Sequence, residues 1–114
     1  MAKSRAEVKW QVFRDRSPAG DGDVTCELCG SAPASDLHEI VNRAVFKPEY
    51  MDIYPVELYS CLCNPCNVNI ADAKTSRRLL LKKNIAFYGS ERVKKALVDF
   101  LTAIGALISG SYTL

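Results

Sequence analysis

The sequence predicts a small α+β domain, in which two short strands in the middle of the chain are flanked by helices at both ends. Its 114 residues are the length of one domain, and the 48% of hydrophobic residues suffices for a modest core. Apolar and polar residues alternate in short runs in the middle of the chain, whereas the two flanking regions show helical periodicity. We therefore expect a single domain over residues 1–114, with an N-terminal helix in 1–16, a core in 24–75 and C-terminal helices in 76–109.

The first predicted element is a helix over residues 4–16. Ser4 and Glu7 have the spacing of a capping box, in which the serine hydroxyl accepts a hydrogen bond from the first helical turn. Trp10 and Phe13 recur at helical spacing. We expect both aromatic side chains to pack in the core.

Four of the five cysteines stand in two pairs of two-residue spacing, Cys26 with Cys29 and Cys63 with Cys66. This spacing lets two thiolates grip one tetrahedral zinc ion. The two pairs, with 33 residues between them, therefore predict a closed structural zinc site. Two disulfides are the alternative, which an intracellular location disfavours. The fifth cysteine, Cys61, is interpreted as a buried free thiol.

Two strands are predicted between the cysteine pairs. Residues 36–41 alternate, with Leu37 facing one side and the only histidine, His38, facing the other. Residues 57–63 form the second run and lead into the second cysteine pair. The segment 42–56 contains two prolines and has no clean period, so we expect it to be irregular.

Three helices are expected after the second strand. One begins just after Cys66, the next is capped by Ser76 and ends at Gly89, and the last begins at Ser90. The last helix carries an apolar stripe that is most simply core packing, although its length leaves room for a homodimer contact. The stripe consists of Val93, Leu97, Phe100, Leu101, Ile104 and Ile108.

The charge is unevenly distributed, although the formal net charge is only +2. The formal net charge is +3 for residues 1–16, −7 for residues 17–72, +7 for residues 73–95 and −1 for the remainder. An acidic centre between basic arms suits a divalent cation held beside a polyanion. The alternative is a solvated surface with ordinary charge clustering.

The chain shows neither a signal peptide nor an apolar stretch long enough to cross a bilayer. We therefore expect a cytoplasmic protein without a membrane partner. In that compartment cysteines hold metal more often than they form disulfides.

Three runs carry a resemblance to a known family: residues 26–30, residues 36–43 and residues 62–67. Their order of cysteine pair, strand with an ionisable pair, second strand, cysteine pair and helix resembles the HNH, or His-Me finger, endonucleases, in particular the small phage-type members. The likeness spans roughly residues 10–73. It implies a treble-clef-like ββα-metal core, a catalytic Mg²⁺ or other divalent ion, double-stranded DNA as substrate, and a phage-infected bacterium as the setting.

The resemblance also implies catalytic roles for three residues. His38 falls in the metal-ligand position of the first strand, Glu39 in the general-base position, and Asn67 in the metal-ligand position of the following helix. The base position more often holds histidine in this family, and its middle asparagine has no match, Glu57 being nearest. An assignment in which His38 and Glu39 exchange roles therefore stays open.

Each candidate has a structural interpretation as well. His38 is then a core histidine bonded to a backbone carbonyl or lying beside a zinc thiolate, and Asn67 caps its helix. Glu39 is then a surface carboxylate paired with Arg43. These interpretations lead to the alternative functions: a catalytically degenerate zinc protein that binds DNA or a host protein, as a phage regulator or inhibitor, or a purely structural zinc module.

Six basic side chains are candidate contacts to the DNA backbone. A guanidinium matches phosphate geometry with two hydrogen bonds, and such contacts supply affinity without reading sequence. The six are Arg43, Lys74, Arg77, Arg78, Lys82 and Lys83.

Overall fold

Four helices surround a two-stranded antiparallel sheet in the computed structural model, which describes residues 4–43 and 46–105. The α+β class predicted from the sequence is confirmed. In chain order the elements are helix α1 (Arg5–Arg16), strand β1 (Asp36–Glu39), two 3-10 turns (Pro48–Ile53 and Val56–Leu58), strand β2 (Tyr59–Leu62), and helices α2 (Asn64–Asn69), α3 (Lys74–Tyr88) and α4 (Ser90–Ala103).

Helix α1 starts where the sequence predicts, because the Ser4 hydroxyl accepts a hydrogen bond from the Glu7 amide at 3.2 Å. Phe13 is buried as expected, but Trp10 is 55% exposed, so its predicted place in the core is wrong. The buried face of α1 runs through Val12 and Phe13, and Trp10 lies off that face. Its ring rests on Gly22, where a Cβ atom would come within 2.8 Å of it.

Strands β1 and β2 pair antiparallel, with Leu37 opposite Cys61 and His38 opposite Ser60. Both strands are shorter than the predicted runs, and in the second run the 3-10 turn Val56–Leu58 occupies the start. The two faces of β1 are nevertheless the predicted ones. Leu37 lies in one hydrophobic cluster, and Ile40 lies in the other.

The two hydrophobic clusters lie on opposite sides of the sheet. The larger one joins α1 and α4 to the sheet, and the smaller one contains the paired cysteines other than Cys29 together with Leu80 of α3. The stripe of α4 faces the larger cluster, which confirms the core-packing interpretation for its buried members. Ile108 lies outside the described residues. The homodimer contact stays a prediction. The buried members are Val93, Leu97, Phe100 and Leu101.

Helix α2 begins earlier than predicted. It starts at Asn64 with Cys63 as its N-cap residue, whereas the sequence placed its start after Cys66. Pro65 fits the first helical turn, because an amide there needs no intrahelical partner. Asn67 therefore lies inside the helix, and its interpretation as an N-cap is wrong.

Helices α3 and α4 follow one another directly. Helix α3 begins at Lys74 with Ala73 as its N-cap residue, so the predicted cap at Ser76 is wrong. Gly89 ends α3 as predicted, and its φ of +98° is one that glycine adopts without a steric penalty. Within the described ranges, none of the helices combines the length and apolarity needed to cross a bilayer.

A buried polar network joins α1, the first cysteine pair, β2 and α3, and the sequence did not predict it. Arg16 donates to a carboxylate oxygen of Glu27 at 2.6 Å, to the side-chain oxygen of Asn84 at 2.7 Å and to the carbonyl oxygen of Tyr59 at 2.8 Å. Asn84 in turn donates to the carbonyl oxygens of Glu57 and Tyr59. Arg16 is therefore a buried structural residue rather than part of the basic surface.

Candidate metal and catalytic site

The four paired cysteines converge on one point. Their Sγ atoms all lie within 4.8 Å of one another, and the Sγ atoms of Cys29 and Cys63 are 3.9 Å apart. A tetrahedral zinc ion with Zn–S bonds of about 2.3 Å separates its sulfur ligands by about 3.8 Å. All five cysteines are unbridged, so the disulfide alternative is wrong. The quartet could hold a structural metal ion such as zinc.

Backbone amides and a hydroxyl surround the first cysteine pair. Gly30, with a φ of +69°, closes the turn by donating its amide to the carbonyl oxygen of Cys26 at 2.9 Å. Hydrogen bonds from Ser31 lower the pKa of the Cys29 thiol to about 6. Burial opposes ionisation of Cys26, but backbone hydrogen bonds outweigh it and lower the pKa of that thiol. This half of the quartet therefore favours the thiolate form that binds metal.

The second cysteine pair shows the opposite shift. Hydrogen bonding with Cys63, followed by burial and by the other sulfurs, raises the pKa of Cys66 to about 12. Four thiolates so close together repel one another, and a divalent cation removes that repulsion. The donor set is thus suited to a soft divalent metal ion.

Cys61 is separate from the quartet. It lies in β2, fully buried in the larger hydrophobic cluster, and burial raises the pKa of its thiol to about 12. A protonated thiol in that position packs as a small apolar group. The prediction of a buried free thiol is confirmed.

The three residues predicted to be catalytic lie around one cleft of about 210 Å³. His38 and Glu39 come from β1, and Asn67 comes from α2. The cleft therefore lies where β1 meets the helix that begins at the second cysteine pair. Its lining residues are His38, Glu39, Asn42, Arg43, Asn67 and Asp72.

His38 lines this cleft and has a buried side-chain nitrogen without a partner among the described residues. The residue is only 5% exposed, and the unpaired atom is Nε2 of the imidazole. Burial lowers the pKa of the imidazole, and the charges of Asp72 and Glu39 and a hydrogen bond with the Asn67 side chain only partly oppose that effect. The ring is therefore neutral at neutral pH, and a neutral imidazole offers one nitrogen lone pair to a metal ion or a proton.

Asn67 is oriented by Asp36, which the sequence analysis left without a role. The side-chain nitrogens of Asn67 and Asn64 donate to one carboxylate oxygen of Asp36 at 3.1 and 3.0 Å. The hydrogen bond from Asn64 is the main cause that lowers the pKa of Asp36. Because a carboxylate only accepts hydrogen bonds, the Asn67 amide turns its nitrogen to Asp36 and its oxygen away. An amide oxygen is a ligand for hard cations.

Glu39 is held by two arginines. Its Oε1 atom accepts from Nη1 of Arg5 at 2.5 Å and lies 3.2 Å from Nη2 of Arg43. The predicted pairing with Arg43 is therefore confirmed, but Glu39 is buried rather than on the surface. Arg5 was not predicted, because nothing in the local spacing links residue 5 to residue 39.

Asp72 is a further carboxylate at the cleft that the sequence analysis missed. It lies in the connection between α2 and α3, and its charge acts on His38. Glu57, the nearest substitute for the family's middle asparagine, instead contacts Arg92 at 2.6 Å and is not among the residues that line the cleft. The path of the chain between α2 and α3, which no sequence spacing reveals, brings Asp72 to the cleft.

The predicted backbone-contacting residues occupy three kinds of environment. Arg43 lines the cleft, and the half-buried Arg77 is close enough for its charge to lower the pKa of His38, after the larger effect of burial. Lys83 donates to the carbonyl oxygen of Glu27 and so supports the first cysteine pair. The remaining three are exposed on α3: Lys74, Arg78 and Lys82.

The cleft and the quartet offer different donor sets. The quartet presents only sulfur, whereas the cleft presents an imidazole nitrogen, amide oxygens and carboxylates, which suit a harder divalent ion. Within the described residues, only the quartet brings three or more histidine, cysteine, aspartate or glutamate ligand atoms this close together. Comparison of the chain with family models, with curated proteins and with solved structures finds no match in any of the three.

Proposed function

We propose that this protein is a small metal-dependent DNA endonuclease of the HNH type, which hydrolyses phosphodiester bonds. The observation that supports the proposal is the cleft that gathers His38, Glu39 and Asn67, together with a buried Nε2 atom of His38 that has no hydrogen-bond partner in residues 4–43 and 46–105. The order β1, β2, α2 beside a cysteine quartet is compatible with the treble-clef-like ββα-metal core of that family.

The quartet has a structural role in this proposal, with zinc as its ion. Cys63 is both a member of the quartet and the N-cap residue of α2, and Asn67 follows one helical turn later. Zinc at the quartet would therefore fix where α2 begins relative to the first cysteine pair. That constraint holds the amide of Asn67 beside β1.

The residues that line the cleft fit a second ion, which His38 and Asn67 would hold through a nitrogen and an amide oxygen, with Asp72 as a further carboxylate. Such an ion, Mg²⁺ or another hard divalent metal, would act as a Lewis acid on the scissile phosphate. Few protein ligands are needed, since Mg²⁺ sites commonly use one or two protein groups plus substrate phosphates.

The general base is either Glu39 or His38. The family resemblance assigns the base to Glu39, but two arginines already contact its Oε1 atom. His38 is a neutral imidazole with an unpaired nitrogen, which is the form a base requires. If Glu39 is the base, Glu39→Gln removes turnover without weakening metal binding. If His38 is the base, its nitrogen is not a metal ligand and Glu39 takes that role, so Glu39→Gln weakens metal binding and the wild-type rate declines at low pH as the imidazole takes up a proton.

The direct test of the function is nicking of supercoiled plasmid by purified zinc-loaded protein with Mg²⁺, Mn²⁺ or Ni²⁺. We expect conversion to open circles, and loss of this activity in His38→Ala and in Asn67→Ala. Cys61→Ala is the matched control, because Cys61 is buried in the adjacent strand but does not line the cleft. The proposal is wrong if no metal supports nicking, or if His38→Ala nicks at the wild-type rate.

The second candidate function is binding without cleavage, to DNA or to a host protein. Two observations favour it: the base position holds a carboxylate that two arginines contact, and Glu57 pairs with Arg92 instead of lining the cleft. Salt-sensitive binding to duplex DNA without turnover would support the DNA-binding form. Recovery of one host protein in pull-downs, together with no DNA affinity, would support the inhibitor form.

A further inference from the structure

Two arginines from distant parts of the chain meet at a single oxygen atom of Glu39. Nη1 of Arg5, in the first turn of α1, lies 2.5 Å from Oε1 of Glu39. Nη2 and Nε of Arg43, which follows β1, lie 3.2 and 3.3 Å from the same oxygen. Arg5 also donates from Nη2 to the carbonyl oxygen of Leu37 at 3.0 Å. The position of its guanidinium is therefore fixed by two contacts to β1.

The three charged groups differ in exposure. The side chain of Glu39 is 9% exposed, whereas those of Arg5 and Arg43 are 44% and 57% exposed. A guanidinium has five N–H donors, more than these contacts use. The carboxylate of Glu39 is thus covered by two guanidinium groups that remain accessible to solvent. The three groups together carry a net charge of +1.

These three side chains lie beside the cleft. Glu39 and Arg43 line the cleft together with His38 and Asn67. An ion pair that served only to attach α1 to β1 would need one arginine. A second arginine on the same oxygen adds little to that attachment, because Arg43 lies only four residues from Glu39 and so joins two positions of the same segment. It does provide a second guanidinium beside the first, because Arg43 lines the cleft and Arg5, which is not among the lining residues, contacts the same oxygen of Glu39; a phosphate group could use both.

We propose that Arg5 and Arg43, held side by side by Glu39, form a clamp for one phosphate group of a nucleic-acid backbone at the rim of the cleft. Glu39 is then a positioning residue, and α1 contributes to the nucleic-acid surface although its first turn lies outside the family-like segment. The clamp rests on the proposed function for its ligand, a nucleic acid, but it does not require that the protein cleave it.

The test measures binding of a short fluorescein-labelled DNA duplex by anisotropy, with zinc-loaded protein and no added Mg²⁺. Arg5→Gln and Arg43→Gln are compared with Arg92→Gln. Arg92 is the matched control, because it forms a one-to-one ion pair with Glu57 at 2.6 Å, its side chain is 55% exposed, and neither it nor Glu57 lines the cleft. All three variants lose one positive charge.

We expect Arg5→Gln and Arg43→Gln each to weaken binding roughly tenfold. Each should also reduce the slope of log affinity against log salt concentration by about one. Arg92→Gln should leave both quantities near the wild-type values. Arg5→Lys and Arg43→Lys retain the charge but lose the two-pronged donor geometry, so they should fall between wild type and the glutamine variants.

The outcomes separate the clamp from the nuclease. If Arg5→Gln and Arg43→Gln bind like Arg92→Gln, the clamp is wrong, even if plasmid nicking is intact. If they bind more weakly while the wild-type protein never nicks DNA, the clamp stands and the nuclease fails. A wild-type protein with no DNA affinity overturns the clamp. Thermal melts of all three glutamine variants show whether any of them is misfolded. The variants should melt at similar temperatures, because each loses an ion pair of similar exposure.

Discussion

The cysteine quartet and the neighbouring cleft are built in different ways. The quartet uses four identical side chains in two local turns, so it is complete once these two turns come together in the fold. The cleft combines six residues from β1, the segment after it, α2 and the connection to α3. The difference shows that local spacing encodes a metal-holding turn, whereas a mixed nitrogen and oxygen site depends on how the elements pack.

The two regions also depend on each other unequally. Cys63 starts α2, and Asn67 of that helix lines the cleft, so the geometry of the cleft depends on the quartet. None of the four quartet cysteines contributes to the lining of the cleft. Damage to the quartet should therefore destroy both regions, and damage to the cleft should leave the quartet intact.

The largest effect is expected from Cys63→Ala. Structural zinc contributes on the order of 10 kcal/mol in small zinc domains, so loss of one ligand should abolish both stoichiometric zinc and cooperative unfolding. Cys61→Ala, the matched control two residues away, should retain zinc and lose about 1 kcal/mol of stability. Zinc content by elemental analysis and urea unfolding measure the two effects. Equal stability of the two variants would contradict a structural metal.

The next largest effect concerns Arg16, which connects the first cysteine pair to β2. Arg16→Met leaves the carboxylate of Glu27 and the amide of Asn84 without their buried partner. Breaking a buried ion pair from one side costs about 3–5 kcal/mol, and we expect a loss of that size in urea unfolding. Arg92→Met, which breaks an exposed pair, is the control and should change stability far less. Equal losses would mean that the buried network is not what attaches the first cysteine pair.

A smaller effect is expected from Asn67→Asp, which alters the cleft alone. It places a carboxylate against Asp36, whose hydrogen bond from the Asn67 amide is lost. We expect a loss of about 1–2 kcal/mol at neutral pH, with zinc affinity unchanged. Part of the loss should be recovered on acidification, as one of the two carboxylates takes up a proton. Asn67→Ala is the control without repulsion. A fall in zinc affinity would show that the quartet depends on the cleft.

The smallest expected effect is a pH dependence of stability caused by His38. Burial lowers the pKa of its imidazole below the ordinary value of 6.5, so the unfolded chain binds a proton more readily than the folded protein. Stability should therefore fall as the pH drops from 6.5 towards the lowered folded-state pKa. His38→Asn, which cannot titrate there, should lose this dependence. Urea unfolding above and below pH 6.5 measures it, and an identical dependence in both proteins would exclude His38 as its source.

Much of the fold follows from local chemistry that the sequence displays. Ser4 caps α1, Gly89 ends α3, and the apolar stripe of α4 packs in the core, as predicted. Each of these depends on neighbours within a turn or two of the chain. The convergence of the cysteine pairs was equally predictable, because cysteines at two-residue spacing are typical ligands of one zinc ion.

The failures are tertiary in origin. Trp10 has helical spacing with Phe13, yet it lies off the face that α1 buries. The contacts of Arg5 with Glu39 and of Arg16 with Glu27 depend on how α1 packs on the sheet, and charge counting treats both arginines as surface residues. The contribution of Asp72 to the cleft depends on the path of the chain between α2 and α3. Spacing along the chain contains none of this information.

The central claim is that the quartet and the cleft hold two different ions, zinc on sulfur and a harder ion on His38 and Asn67. The most direct measurement is a pair of anomalous difference maps, at the zinc and manganese edges, from crystals soaked in Mn²⁺. We predict one zinc peak bonded to the four Sγ atoms and one manganese peak bonded to Nε2 of His38. A cleft without manganese, or manganese bound only at the surface of the molecule, would contradict the claim.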